Sequence, residues 1–314
     1  MDTLSKSKQN NGCLDSDDVS SPKNGVTISI SPTLDRINYS SGENYIILHD
    51  PIVIIDRPRL ARIPVQGENI INCLDVYPRT YEFEDITVLL SSEQQRIIWG
   101  PSIDTLMLMK AVKSLPERSY RNALEVGAGC GFLSLWIVGT ERAEEVLGID
   151  TNLAAVRCAQ WNAKRIGLQS RCLFENKSFA DQGDDEFDLI LCNPPYLHLP
   201  TQDSRKVIMD AYTGTELLKE FLDGYMRMLS PDGVAYLIMS SASYVDPEVT
   251  IRLANLKGIG LAELIDQRDV PMKVDAVIRN KQWLSFLIST DGVSERIEDD
   301  YRYWHHLEVW LLRR

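Results

Sequence analysis

From Ala123 to Ser240 the chain alternates short apolar runs with stretches of helical period. The strand-like runs cover 123–127, 145–149, 171–175, 187–192 and 234–240, and the helical stretches 131–138, 152–166 and 215–229. Strands that are apolar almost throughout and separated by helices predict an α/β fold, with a parallel sheet covered on both faces. Crossovers of one hand bring the carboxyl ends of such strands to a common edge, and ligands bind there where the strand order switches. Gly127, Asp150, Ser178 and Asn193 each follow one of these strands and are expected to converge on that edge.

Two of the strand ends carry readable chemistry. Ala123-Leu124-Glu125-Val126-Gly127-Ala128-Gly129-Cys130-Gly131 runs from a strand into a glycine-rich turn that opens a helix. Glycine permits positive φ and close approach of a ligand, so the turn is expected to face a small molecule. Asp150 ends the next strand about 20 residues on, where a carboxylate takes the two hydroxyls of a ribose. The glycines follow G-x-G-x-G, not the G-x-G-x-x-G that seats a pyrophosphate, and Glu125 precedes them. An acid at that point repels a pyrophosphate and suits the sulfonium and ammonium charges of S-adenosylmethionine.

The second motif is Asn193-Pro194-Pro195-Tyr196, directly after the apolar run 187–192. Each proline locks its own φ and lacks an N–H, and Pro195 pushes Pro194 into an extended conformation. The Asn193 carboxamide oxygen and the Pro194 carbonyl can then accept both hydrogens of a planar NH2, while Tyr196 offers a stacking face. Asn193, Pro194 and Tyr196 are thus the candidate catalytic set. Glu125, Gly127, Gly129, Asp150 and Asn193 are candidates for cofactor contact.

At these residues the chain resembles the class I S-adenosylmethionine-dependent methyltransferases, and among them the Asn-Pro-Pro-Tyr branch that includes the protein-glutamine N5-methyltransferases acting on release factors. The resemblance runs over about 99–240, with a weaker continuation to the C-terminus. Gly100-Pro101-Ser102-Ile103-Asp104-Thr105 looks like a Pro-Ser-x-Asp-Thr segment of the eukaryotic and archaeal glutamine enzymes. Gly214-Thr215 stands where those enzymes usually carry an acidic residue and glycine, and the helical bundle that begins the bacterial ones is not apparent. The resemblance implies a Rossmann-like seven-stranded fold whose last two strands, near 261–266 and 307–312, form an antiparallel pair at the sheet edge. It also implies that Ser178 and Phe179 hold the adenine, although a plain surface turn fits those two residues as well. Asp104 and Thr105, on the first turn of a helix expected over 103–115, lean over the cofactor or simply cap that helix. Transfer to a glutamine side chain of a protein is the implied reaction; adenine-N6 or guanine-N2 transfer to a nucleic acid, or transfer to a small molecule, is the alternative.

A formal charge of −12 and a pI near 4.9 oppose the general attraction to phosphate on which nucleic-acid binders rely. The expected partner is a protein or small-molecule substrate, with a small activating subunit or a homodimer left open. Six cysteines, at 13, 73, 130, 158, 172 and 192, show no C-x-x-C and no metal-ligand rhythm, and read as reduced core residues. Asp184-Asp185-Glu186 reads as a solvated acidic turn, and no metal is expected. With no apolar run near the ~18 residues of a membrane span, the expectation is a soluble, cytoplasmic protein. Residues 1–41, rich in Ser, Asp, Asn and Lys, are expected to form a disordered tail. Residues 42–98 are expected to form a small β-rich element, with runs at 45–48, 52–55, 86–90 and 96–99, and residues 99–314 the methyltransferase domain. The stretch 272–303 reads equally as a functional lid or as an ordinary helical insertion. His198 is expected at the rim of the site, and His305 and His306 on opposite faces of a strand.

Overall fold

The computed structural model describes residues 26–30, 36–41, 48–51, 79–83, 85–91, 93–94, 97–114, 119–199, 214–272, 277, 280–298 and 301–314. Five strands come first: β1 (Val26–Ile30), β2 (Arg36–Ser41), β3 (Leu48–Pro51), β4 (Arg79–Phe83) and β5 (Ile86–Leu90). They form one sheet in the order β3-β2-β1-β4-β5, with β1 and β4 parallel and the other neighbours antiparallel.

The second sheet follows the α/β alternation. Its elements are α1 (Ile103–Ser114), β6 (Tyr120–Val126), α2 (Phe132–Gly139), β7 (Ala143–Asp150), α3 (Leu153–Arg165), β8 (Cys172–Asn176) and β9 (Phe187–Cys192). After these come α4 (Glu216–Met228), β10 (Leu229–Ser240), α5 (Pro247–Gly258), β11 (Ala262–Pro271), α6 (Lys281–Ser289), β12 (Ser294–Glu298) and β13 (Tyr301–Arg313). Seven strands run in the order β11-β13-β10-β9-β6-β7-β8, and β12 pairs with β13 at one end. The strands from β8 to β10 are parallel, whereas β13 is antiparallel to both β10 and β11. This is the Rossmann-like seven-stranded fold, with the expected antiparallel pair at its edge.

Alternation of side chains along the strands divides the core into two layers. Leu189 and Leu191 of β9 join the residues of α1, α2 and α3, while Ile190 and Cys192 join those of α4 and α5. Every residue of α2 from Phe132 to Val138 is buried, as expected of a helix that is apolar all round. Beside it, the backbone of β5 is tied to α3. The Leu89 N–H donates to Asn162 Oδ1 at 2.9 Å, Asn162 Nδ2 returns a bond to the Leu89 carbonyl at 3.2 Å, and Arg165 bonds the Thr87 carbonyl. These side chains occupy polar groups on a strand at the end of its sheet, where they would otherwise offer a template for further pairing.

Two expectations change. Val26–Ile30 and Arg36–Ser41 are strands, although they fall inside the stretch expected to be a disordered tail. Their alternation, Val-Thr-Ile-Ser-Ile in the first, was outweighed by the polar composition around it. The strand expected over 96–99 is not one: Ile97 and Ile98 donate backwards to the Gln94 carbonyl at 3.0 and 2.7 Å. Reciprocal bonds between Ser91 and Gln94 fold that segment into a turn. Helix α6 and β12 lie within the 272–303 stretch, which reads in sequence as a lid or a helical insertion alike. Of the other expected β-rich runs, 45–47 and 52–55 lie outside the described residues, as do Cys13 and Cys73.

Candidate active site

Register explains why the strand-end residues meet. Val126 at the end of β6 pairs with Ile149 of β7 on one side and Cys192 of β9 on the other. The next residues, Gly127, Asp150 and Asn193, therefore leave the sheet at one level, on either side of the switch in strand order. They line a cleft of about 640 Å³, together with Glu125, Gly129, Thr105, Phe179, Pro194 and Tyr196.

The glycine turn works through backbone geometry. Gly127 and Gly129 have φ of 76° and 55°, a region that disfavours any side chain, and a Cβ on Gly127 would meet nothing within 4 Å. Gly127 thus presents bare backbone to open space. The Gly127 and Ala128 N–H groups both bond the Ile149 carbonyl, at 2.9 and 3.0 Å, which fixes the turn to β7. The Asp150 carboxylate completes the attachment: one oxygen accepts from the Gly129 N–H at 2.9 Å and the other from the Asn152 N–H at 2.8 Å. Each oxygen keeps acceptor capacity for a further donor. Burial raises the Asp150 pKa above the usual value, and the two N–H bonds oppose that shift.

Glu125 has a structural task beside its expected one. Helix α2 begins at Gly131, which has no side chain to cap it; the Ser134 N–H in the first turn donates instead to Glu125 Oε2 at 2.9 Å, and the Ser134 hydroxyl bonds the same oxygen. Oε1 makes no hydrogen bond among the described residues. Burial pushes the Glu125 carboxyl up to about 8, against the lowering effect of the Ser134 bonds, and nearby Asp150 adds to the rise. A cation in the cleft would favour the ionised form, so its binding must release a proton below that pH. Affinity for a cationic ligand should accordingly rise about tenfold or more between pH 6 and 7.5 and level off above pH 8. Calorimetric titration of S-adenosylmethionine, which carries both the sulfonium and the ammonium charge, across that range checks this; Glu125→Gln should flatten the rise, and a wild-type affinity indifferent to pH would contradict it.

On the other side of the cleft, Asn193 is half-buried and Pro194 buried. Neither the Asn193 carboxamide nor the Pro194 carbonyl makes a hydrogen bond among the described residues. Tyr196 is half-buried, and its hydroxyl donates to Asp104 Oδ2 at 3.2 Å. The loop beyond rests on the insertion. Trp283 of α6, fully buried, donates from its indole to the His198 carbonyl at 2.8 Å. Leu197 packs with Trp283, Leu287 and Val293 in a small core of its own. The insertion is thus a fixed support under the loop that carries Asn193. His198 follows the cleft-lining Leu197 without lining the cleft itself and lies 3.8 Å from the Asp246 carboxylate, which also holds Thr215 at 2.5 Å and Lys219 at 3.2 Å. His305 faces inward to Ser240 and His306 outward to Asp269, the predicted split.

Ser178 is displaced from its expected role. Its hydroxyl bonds Asp181 Oδ2 at 2.5 Å in a local turn, and it does not line the cleft; Lys177 and Phe179 do. Of the expected pair, Phe179 lines the cleft and Ser178 does not, its hydroxyl taken up in a local turn. Sequence reasoning also missed Trp99 and Ile97 at the cleft mouth, because the segment was read as a strand. Asn152 Nδ2 holds that segment by the Ile97 carbonyl at 2.8 Å. Cys130, Cys158, Cys172 and Cys192 are buried free thiols, and burial raises the pKa of each. Inert core thiols are the result.

Comparison with known proteins agrees with this geometry. The family model of the methyltransferase small domain matches residues 104–246. A Methanocaldococcus jannaschii protein provisionally named protein N5-glutamine methyltransferase is 31% identical over 173 residues, which cover 51% of this chain and 79% of that protein. The chain belongs to the methyltransferase small-domain family. It is a methyltransferase. A release factor glutamine methyltransferase of Bordetella pertussis is 29% identical over 54% of this chain and 65% of its own length. A tRNA1(Val) (adenine(37)-N6)-methyltransferase of Shewanella sediminis is 30% identical over 50% of this chain and 67% of its own length. The chain spans about two thirds of the length of these last two relatives. Among the described residues, no helix is long and apolar enough to cross a membrane.

Proposed function

We propose that this methyltransferase uses S-adenosylmethionine to methylate the side-chain amide of glutamine in a protein. The observation that carries the reading is the pair of acceptors at Asn193 and Pro194, neither hydrogen-bonded among the described residues, level in the sheet with the open glycine turn and Asp150. The residues present fit the cofactor. Gly127 opens onto empty space, Asp150 keeps acceptor capacity for two ribose hydroxyls, and Glu125 turns a free oxygen toward a site that suits a positive charge. Phe179 and Leu153 supply apolar surface along the cleft. Its volume of about 640 Å³ lies in the range of sites for ligands of that size.

When bound, the cofactor supplies a methyl group activated by the positive sulfur. The work of the chain is positioning. The Asn193 carboxamide and the Pro194 carbonyl accept the two N–H bonds of the acceptor amide and hold its nitrogen lone pair toward the methyl. An amide nitrogen is a poor nucleophile because its lone pair is delocalised, and acceptors fixed on both hydrogens favour the less planar, electron-rich nitrogen of the transition state. Tyr196 does not serve as base: burial and the neighbouring Asp104 hold its pKa well above the ordinary value. The proton leaves from the methylated nitrogen to solvent after transfer.

The relatives' names divide between glutamine and adenine, two acceptors that share one feature, a planar NH2 conjugated to a carbonyl or ring. The Asn193–Pro194 pair recognises that feature in either. The charge of −12 favours the protein acceptor, since an RNA substrate needs cationic contacts to its phosphates. The buried free thiols among the described residues fit a reducing, cytoplasmic setting. Incubation with methyl-labelled S-adenosylmethionine and host extract, followed by separation of protein, nucleic acid and small molecules, tests the reading. Label in protein, on glutamine after hydrolysis and mass analysis, is the expected result; label confined to RNA or to metabolites would overturn the substrate while leaving the methyltransferase.

A further inference from the structure

In the sequence, Asp104 reads with Thr105 as a first-turn residue of α1 that leans over the cofactor or caps the helix, with no sign of a partner in the Asn193 loop. In the fold it joins two parts of the cleft that are far apart in the chain. The residue is 3% exposed. Its Oδ1 accepts from the Thr105 N–H at 2.7 Å and from the Ser102 hydroxyl, and Oδ2 accepts from the Tyr196 hydroxyl across 92 residues of sequence. The segment just before it forms the wall beside the glycine turn. A Cβ on Gly129 would lie 3.2 Å from the Trp99 carbonyl, and Asn152 holds Ile97. Tyr196, at the other end of the bond, belongs to the loop that presents Asn193 and Pro194, and its ring lies 6.1 Å from that of His305. Asp104 and Tyr196 both line the cleft.

We propose that Asp104 is a positioning residue for methyl transfer: by fixing the Tyr196 hydroxyl it sets where the Asn193 and Pro194 acceptors hold the nitrogen relative to the cofactor side of the cleft. The inference rests on the reading of that loop as the acceptor grip. The intervening backbone is stiff, because Pro194 and Pro195 have no free φ, so an anchor at Tyr196 is felt at Asn193. Reacting atoms must be held to a fraction of an ångström, and a misplacement of about 1 Å costs on the order of 100-fold in rate. A bond between the glycine-turn wall and the acceptor loop controls that separation directly.

The test compares Tyr196→Phe, Asp104→Ala, Asp104→Asn and the Tyr196→Phe/Asp104→Ala double variant. For each, kcat and both KM values are measured, with cofactor affinity by calorimetry and folding by thermal melting. Tyr196→Phe keeps the ring and its packing and removes only the hydroxyl. Its kcat should fall by about 10- to 100-fold, with cofactor affinity changed less than about threefold. Asp104→Ala should lose at least as much, and the double variant no more than Asp104→Ala alone, because both changes break one linkage. Asp104→Asn, which keeps an oxygen for the Tyr196 hydroxyl, should recover most of the activity. An unchanged kcat in Tyr196→Phe, losses that multiply in the double variant, or a selective loss of cofactor affinity in Asp104→Ala would overturn the proposal. Asn193→Ala separates the two ideas: if it retains turnover, the acceptor reading fails; if it is inactive while Tyr196→Phe is normal, only the role of Asp104 fails.

Discussion

Asn193→Ala should lower kcat by about 10²- to 10³-fold while leaving cofactor affinity within about threefold of the parent. The magnitude is that of removing one preorganised hydrogen-bonding group from a site where the reacting centre changes its charge distribution. The carboxamide has no hydrogen bond to lose among the described residues, so truncation frees no buried partner and the fold should melt at nearly the parent temperature. The cofactor contacts lie on other strands: Gly127 and Gly129 follow β6, and Asp150 ends β7. An interaction that matters mainly in the transition state lowers kcat and kcat/KM together, and single-turnover transfer with calorimetry on the same preparations separates that from a binding defect. A variant that turns over normally at saturating cofactor but binds it poorly would remove Asn193 from the acceptor role and place it in the cofactor site.

How much of this was readable without coordinates depends on how local each signal is. The parallel sheet was legible because each of its central strands is apolar along its full length and each helix repeats at its own period; Leu189 to Cys192 face both layers of the core, and both demand apolar side chains. The glycine turn, Asp150 and Asn193 were legible because the distance from strand end to functional residue is a residue or less. Ser178 shows the limit of that argument. After β8, which of Lys177, Ser178 and Phe179 faces the cleft is decided by one step of backbone rotation, and here the Ser178 hydroxyl is captured by Asp181 three residues on. The segment 97–99 reads as β-branched and apolar, yet the Ser91–Gln94 pair folds what precedes it into a turn. Contacts between distant segments left no trace in sequence. Nothing in Asp104 names Tyr196 as its partner, and nothing in Trp283 names the His198 carbonyl, because in each case the spacing is set by the fold and not by a helix or strand period. The same holds for Ser134, whose bonds to Glu125 give the acid a capping task that the motif alone does not suggest.

Asp150→Ala should weaken the binding of S-adenosylhomocysteine by about 100-fold, two hydrogen bonds to a charged group being worth about 1.5–3 kcal/mol each before the loosened turn and competing water are counted. The effect on folding should be far smaller, because two terms oppose one another. Removal leaves the Gly129 and Asn152 N–H groups without their acceptor, which is costly, yet it also removes a carboxylate whose burial already raises its pKa. Loss of affinity could still arise from a slackened glycine turn instead of a missing ribose contact, and 2′,3′-dideoxyadenosine distinguishes the two. If Asp150 holds the ribose hydroxyls, adenosine should bind the parent much more tightly than the dideoxy analogue, while Asp150→Ala should bind both equally and as weakly as the parent binds the analogue. Were the slackened turn responsible, the substitution would weaken both ligands alike and the preference for adenosine would survive it. Survival of that preference would move the ribose away from Asp150, leaving the carboxylate as the fastener that joins the glycine turn to β7 and the start of α3.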